Sequence, residues 1–567
     1  MALMDCGEGV RLERDVAMQL SDGTTLRSDH YYPAGGGPDG VPHPTLLMRQ
    51  PYGRDIASTV VYAHPVWFAR RGYNVVIQDV RGRGDSEGAF YPFRHEGRDG
   101  AETIAWLRSR PESNGRIGMY GFSYQGATQW LAAAEQPEGL QCIAPAMTAC
   151  DLYAGWFYHH GALRLASSLG WGLQMLKEDA QRRGLHEASD RLEAAWANLP
   201  AQTKIVPYGQ HPAIVDRALP SYVRDWFEND RPGAYWSAMD VSTRAAQISV
   251  PALHVSGWYD TYLEGSVAGF EQMRAHAGTT FAREHQYLLA GPWVHIPWGD
   301  RVGELALGEA ALLDTDALLL RWFDHWLKDA GTFANEPKVR HFALGTNTWH
   351  AANGVCGAGT HALYLASGGR AESRKGDGVL LAELPTGSQP ADLFVYDPEV
   401  PVASPTGAGD QSAIEMGNNL LVYTSAALDA PLHVYGRPQV EIYVATTAAS
   451  ADVVAKLVRV LPNSRAEFVC MGIARSSFVF GEAYQADVVQ RWVFTLEPTS
   501  CVFAVGEQVR LEIAGCAFPL YDRNPSICGV KPSEASRWSW SRSTHRVMHD
   551  AERPSVLRLP TVEGQAA

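Results

Sequence analysis

The strongest chemical signal in the chain is the segment RIGMYGFSYQGATQW at 116–130. An apolar run suited to a strand enters a sharp turn at Gly121-Phe122-Ser123-Tyr124-Gln125-Gly126 and leaves as a helix. Such a turn holds a serine hydroxyl clear of the backbone, where it can attack a carbonyl. Small residues are needed because the turn is strained and the helix packs close. The pattern is G-x-S-x-x-G, with Gln at position 125, so on the motif alone an ordinary strand–helix turn is an equal alternative.

A serine hydroxyl is barely ionised near neutral pH and needs a base, and the base needs a carboxylate to fix its tautomer. In sheets of this kind the order along the chain is Ser, acid, His. Asp260 follows the strand-like ALHVSGW, and His295 follows HQYLLAGPW. Both fall at the C-terminal ends of parallel strands, where open α/β sheets place their sites. The plain alternative for His295 is a loop histidine packed on Trp293 and Trp298. A tetrahedral intermediate also needs donors for its oxyanion. The backbone N–H of Tyr124 supplies one. The loop LLMRQPYGRD lacks the usual glycines and offers the hydroxyl of Tyr52 instead, although Tyr52 also suits a purely structural loop position.

These residues need a scaffold. HPTLLMRQP and GYNVVIQDV read as buried parallel strands, and YAHPVWFARRG and GAETIAWLRSR as helices between them. Residues 1–145 are therefore the first part of a layered α/β domain. Residues 146–245 read as a helical insertion, with GALRLASSLGWGLQMLKEDAQRRG, SDRLEAAWANL and AIVDRALPSYVRDWFE as its helices. The sheet resumes over 246–345 and ends in the helix ALLLRWFDHWLKDAG, closed by a glycine. From 346 to 567 strict alternation appears. Val440, Ile442 and Val444 share one face and Glu441 and Tyr443 the other; Val509, Leu511 and Ile513 repeat the pattern against Arg510 and Glu512. Antiparallel strands in a sandwich or jelly roll follow.

Composition narrows the classes. The chain has 567 residues and a formal charge of −14. That charge repels phosphate backbones and anionic lipid, so neither nucleic acid nor a membrane surface is expected as a partner. The eight cysteines include no C-x-x-C pair, so no metal site is expected and reduced thiols are. MALMDCGEGVRLERD lacks an apolar signal segment, and no run is long and apolar enough to span a bilayer, so a cytoplasmic protein is expected. RGRGDSEG at 81–88 lacks the GK[ST] of a phosphate loop. Adjacent His159 and His160 lack the spacing of a helical metal pair, and His254 reads as a satisfied core histidine.

The chain resembles the cocaine-esterase / X-Pro dipeptidyl-peptidase superfamily, the CocE/NonD hydrolases, nearly from end to end. The matching stretches include RQPYGR at 49–54, VIQDVRGRGDSEG at 76–88, NGRIGMYGFSYQG at 114–126, VSGWYD at 255–260, LAGPWVH at 289–295 and FAVGEQVRLEIAGCAFPLYDRNP at 503–525. The resemblance implies an α/β-hydrolase domain, a helical cap inserted after the sixth strand and a C-terminal jelly roll. It implies the triad Ser123, Asp260 and His295 and an oxyanion hole from Tyr52 and the Tyr124 N–H, with no cofactor. It also implies a small ester or amide as substrate. Members that take α-amino acid esters carry a carboxylate cluster. Here the corresponding positions are Gly155-Trp156 and Thr261-Tyr262-Leu263, so the cluster is missing. Trp156, Trp171 and Tyr262 fall where an aromatic acyl pocket is expected. A peptidase, a β-lactam acylase and an acyltransferase share the chemistry up to the acyl-enzyme and stay open, as does a homo-oligomer. A non-catalytic binding protein is disfavoured by the intact Ser/Asp/His order.

Overall fold

The computed structural model describes residues 3–55, 59–331, 333–405 and 407–562. The strands that build the hydrolase sheet begin with β1 (Met4–Asp5), β2 (Arg11–Gln19), β3 (Thr25–Tyr32), β4 (His43–Gln50), β5 (Asn74–Asp79), β6 (Ser113–Phe122) and β7 (Leu140–Ala146). After the cap, which holds the small hairpin β8 (Tyr158–His159) and β9 (Ala162–Leu163), come β10 (Ala252–Gly257) and β11 (Gln286–Gly291). A second small hairpin, β12 (Arg301–Val302) and β13 (Leu305–Ala306), precedes β14 (Val339–Ala343) and β15 (Thr348–Ala352). Among the described residues, eleven strands lie in the order β1-β2-β3-β5-β4-β6-β7-β10-β11-β14-β15. The run from β5 through β14 is parallel, and antiparallel strands close both ends.

The apolar run of β4 is buried on both faces because helices cover both. Leu47, Val76 and Met119 pack toward α2 (Glu96–Ser109) and α3 (Tyr124–Ala134). Leu46, Met48, Val75 and Ile77 pack with Phe68, Trp322 and Phe323 on the opposite face. The segment 62–72 is less helical than its sequence suggests: α1 is only Pro65–Ala69. The helix Thr315–Lys328 is closed not by a glycine but by Asp329, which takes the left-handed conformation itself (φ 53°). β7 is a further strand whose sequence, LQCIAPA, has a proline as its penultimate residue and carries no clear period.

The cap contains α4 (Leu165–Arg182) and α5 (His186–Ala197). The third expected cap helix shrinks to Tyr222–Glu228, because the residues before it, through Pro220, run as turns. The hydrolase sheet extends through β15 to Ala352, past the division expected at 345–346. The C-terminal jelly roll follows. In its strand Gln439–Thr446, Val440, Ile442 and Val444 are buried and Glu441 and Tyr443 half-buried, as alternation predicts. In Gln508–Ala514 both faces are buried: Glu512 meets Lys456 at 3.0 Å and Arg510 pairs with Glu415. That strand lies between two others, so its polar face is a buried ion network rather than a solvated one. No helix of the described residues is long and apolar enough to cross a membrane. None of the eight cysteines forms a disulfide.

Candidate active site

Ser123 stands between β6 and α3 with φ 60° and ψ −127°, a conformation that costs a non-glycine residue about 1–3 kcal/mol. Its surroundings hold it there. The Ser123 N–H donates to the Ala146 carbonyl at the end of β7 (2.8 Å). Gly126 must be glycine because a Cβ there would lie 2.7 Å from the Thr148 side chain. Gln125, at the position where the stricter motif has glycine, turns its side-chain oxygen back to accept from the Phe122 N–H (3.2 Å). The glutamine is therefore a brace for the turn. Tyr124 begins α3, so its N–H has no acceptor within the helix.

Asp260 and His295 come together because the loops after β10 and β11 are zipped to each other. Trp258 N–H donates to the Gly291 carbonyl (2.9 Å) and Tyr259 N–H to the Trp293 carbonyl (3.1 Å). The approach is close enough that a Cβ on Gly257 would lie 2.2 Å from the Trp293 oxygen. His295 Nδ1 then meets Asp260 Oδ1 at 2.8 Å, with the aspartate side chain fully buried. This contact holds Nδ1 as donor and turns Nε2 away from the aspartate. The imidazole lies 5.5 Å from the Phe122 ring and 5.1 Å from Tyr262, centroid to centroid. Among the described residues it makes no hydrogen bond to Ser123. In sites without substrate that contact is often long and tightens on binding.

Tyr52 follows β4 in a loop that Arg54 pins to Asp29 (2.8 Å) and to Asp79 at the end of β5. Its hydroxyl faces the Ser123 side chain and the Trp171 indole nitrogen. Burial pushes that hydroxyl up to about 12, partly offset by these two neighbours and by the charge of Arg83. The RGRGDSEG segment proves to be scaffold: fully buried Arg83 reaches Asp179 (3.1 Å) and the Met175 carbonyl (3.2 Å) on α4, fixing the cap over the elbow.

Trp156 is buried and stacks on Tyr262 with centroids 4.1 Å apart. Trp171 stacks on Trp226 at 5.2 Å, and Phe93 lies against Trp156, Trp171 and Tyr124. Phe93 and Trp226 extend the aromatic shell and carry no sequence motif. Their only signal is aromatic richness. The missing carboxylates have a steric counterpart: a Cβ on Gly155 would lie 2.6 Å from Gly265 Cα, and Leu263 is fully buried. Glu264, the first carboxylate after Asp260, is held by Arg437 at 3.0 and 3.2 Å.

Two other groups are structural. His254 meets the Gln286 side chain (3.0 Å) in the core. Ser367, Asp392 and His549 form a second Ser/Asp/His grouping in the jelly roll. There Ser367 and Asp392 both meet Nε2 of His549 (3.1 and 2.9 Å), which leaves no nitrogen to relay a proton from serine to carboxylate. No group of three or more His, Cys, Asp or Glu able to hold a metal ion occurs among the described residues.

A capped α/β sheet with a serine on a strained elbow and an Asp–His pair at neighbouring strand ends has the design of a serine hydrolase. Residues 22–297 match the X-Pro dipeptidyl-peptidase (S15 family) model, and residues 331–558 match the X-Pro dipeptidyl-peptidase C-terminal non-catalytic domain. The chain is 30% identical to the cocaine esterase of Rhodococcus sp. (strain MB1 Bresler), over 97% of this chain and 98% of that one. An aminopeptidase from a marine sediment Thaumarchaeota archaeon shares the fold with a TM-score of 0.81, at 23% identity over 98% and 96% of the two chains. An α-amino acid ester hydrolase does so with a TM-score of 0.78, at 22% identity over 99% and 98%. The chain belongs to the cocaine-esterase / X-Pro dipeptidyl-peptidase superfamily of CocE/NonD serine hydrolases.

Proposed function

We propose that this enzyme hydrolyses carboxylic esters with a bulky apolar or aromatic acyl group, using Ser123 as nucleophile. The observation that carries the reading is the 2.8 Å Asp260–His295 contact beside the strained Ser123 elbow, under an aromatic shell. Ser123 Oγ attacks the ester carbonyl while His295 Nε2 takes its proton. The oxygen of the tetrahedral intermediate accepts from the Tyr124 N–H and the Tyr52 hydroxyl. His295 then protonates the leaving alcohol, and water repeats the sequence on the acyl-enzyme. Asp260 keeps Nδ1 protonated and stabilises the imidazolium.

The acyl preference rests on Trp156, Tyr262 and Trp171. An aromatic acyl group gains about 25 cal/mol per Å² buried against them. A primary ammonium gains only about 0.5–2 kcal/mol from ring faces, less than its loss of water without an anionic partner. A second reading, cleavage of peptides or α-amino esters at a free N-terminus, is favoured by the match of residues 22–297 to the X-Pro dipeptidyl-peptidase (S15 family) model.

Two experiments separate these. Ser123→Ala removes p-nitrophenyl ester turnover and fluorophosphonate labelling while the circular dichroism spectrum is retained; near-wild-type turnover in the variant sinks the nucleophile assignment. A phenylacetyl ester is turned over with higher kcat/KM than its phenylglycyl analogue; a tenfold preference for the phenylglycyl ester instead establishes the second reading.

A further inference from the structure

Trp171 reads in the sequence as apolar pocket surface, but its indole N–H has a geometry that packing alone does not require. The nitrogen is buried and has no regular hydrogen-bond acceptor among the described residues. The Tyr52 hydroxyl is a hydrogen-bonding neighbour of this nitrogen, without the geometry of a regular bond. Five rings hold the indole in place: Trp226 at 5.2 Å and nearly parallel, Phe93 at 5.7 Å, Trp156 at 5.8 Å, Tyr124 at 5.9 Å and Phe157 at 6.4 Å. Caged this way, the N–H cannot turn toward water or toward another acceptor. An indole nitrogen only donates. The Tyr52 oxygen can therefore take a hydrogen from Trp171 but cannot spend its own proton there.

We propose that Trp171 is a positioning residue that holds the Tyr52 hydroxyl by its indole N–H, reserving the hydroxyl proton for the oxyanion. The inference rests on the reading of Tyr52 as an oxyanion donor. A phenol rotor has two in-plane settings. One points its hydrogen at the Trp171 N–H, donor against donor, and is excluded. The other points it toward Ser123, where the substrate oxygen becomes negative. As that charge grows, the Tyr52 O–H bond polarises and its oxygen becomes a better acceptor, so the Trp171 contact strengthens with it. The gain is therefore made in the transition state and belongs to kcat rather than KM.

The test replaces Trp171 by 3-benzothienylalanine, which keeps the bicyclic shape and removes the N–H, alongside Trp171→Phe. Each is made in the wild-type and the Tyr52→Phe backgrounds and assayed on one p-nitrophenyl ester. For the shape-preserving benzothienyl variant the expected result is a fall in kcat of about 3- to 10-fold with KM unchanged, the size of one neutral hydrogen bond, whereas Trp171→Phe also trims the acyl surface and is expected to raise KM in both backgrounds. For the benzothienyl variant a parallel loss of affinity for an arylboronic acid is expected, and neither of its changes in the Tyr52→Phe background. An equal loss in both backgrounds, or a full wild-type kcat for the benzothienyl variant, overturns the proposal. If Tyr52→Phe by itself leaves kcat unchanged, the oxyanion reading fails first and takes this inference with it.

Discussion

At the scale of single residues the site is a problem in protons. Asp260 is fully buried, and one of its oxygens is committed to His295 Nδ1, so the proposed mechanism leaves Nε2 as the nitrogen that faces the nucleophile. Asp260→Asn is expected to keep the fold but favour the wrong tautomer, lowering kcat about 10⁴-fold, with Ser123 still modified slowly by a fluorophosphonate. On the proposed mechanism Tyr52→Phe removes one oxyanion donor, and kcat is expected to fall about 10²–10³-fold. A change confined to KM would instead make Tyr52 a binding residue. Much of this was legible. The elbow, Asp260 and His295 each end a readable apolar run, and each run ends where the sheet delivers side chains to its carboxyl edge. Phe93 and Trp226 were not legible, because aromatic richness alone does not say which rings pack on Trp171 until the chain is folded.

At the scale of elements, the elbow depends on how closely α3 approaches the chain after β7. Gly126 faces Thr148 and the Ala146 carbonyl, and the latter also receives the Ser123 N–H. Gly126→Val is expected to push α3 outward, destabilise the fold by about 1–3 kcal/mol and lower kcat more than it raises KM. Thermal unfolding and steady-state kinetics on the same sample check both; unchanged kcat with lowered stability would show that the elbow tolerates the shift. Strands flanked by turn residues were legible as buried runs. β7 was missed because LQCIAPA mixes polar and small residues and borders the cap. The short cap helices were overread because Ile214 and Tyr222 have helical spacing, although Pro220 interrupts the run. Arg510 and Glu512 alternate as a solvent face would, and only their burial between two strands shows that they pair inside.

At the scale of the whole molecule, the cap and the jelly roll are joined by buried charge. Arg475 spans Asp452 (2.8 Å) and Asp522 (2.9 Å), and Asp522 in turn accepts from the Leu163 N–H of β9 (3.0 Å) and the Tyr208 hydroxyl (2.9 Å). Removing one partner strands the others, so Arg475→Met is expected to cost about 3–5 kcal/mol, read by denaturant unfolding. Acid sensitivity has a separate origin. Burial holds His254 down to about 4 and His30, His341 and His545 down to about 3. Below about pH 6.5 the unfolded chain takes up protons that these imidazoles refuse in the fold. Their contribution is complete above that pH and is lost as pH falls toward 4. The melting temperature is expected to drop over this window with net proton uptake on unfolding; a flat profile between pH 7 and 4 would contradict it. Glu497, pushed up to about 7 chiefly by burial, acts in the opposite sense. Its folded form holds a proton between about 4.5 and 7, so its contribution is present in acid and is lost as pH rises through that range.

The clamp between cap and jelly roll also bears on traffic. A lid that swings needs a seam with few buried contacts, and motions of that kind feel the friction of the solvent. Here Arg475 holds the β8–β9 turn from the jelly-roll side (3.1 Å to the Gly161 carbonyl), and Arg83 holds α4 from the hydrolase side. With the roof bolted at both ends, entry and exit fall to side chains at the mouth rather than to the roof. Raising the microviscosity of the medium with sucrose should therefore leave kcat nearly unchanged, and a covalent tie between cap and jelly roll should slow nothing.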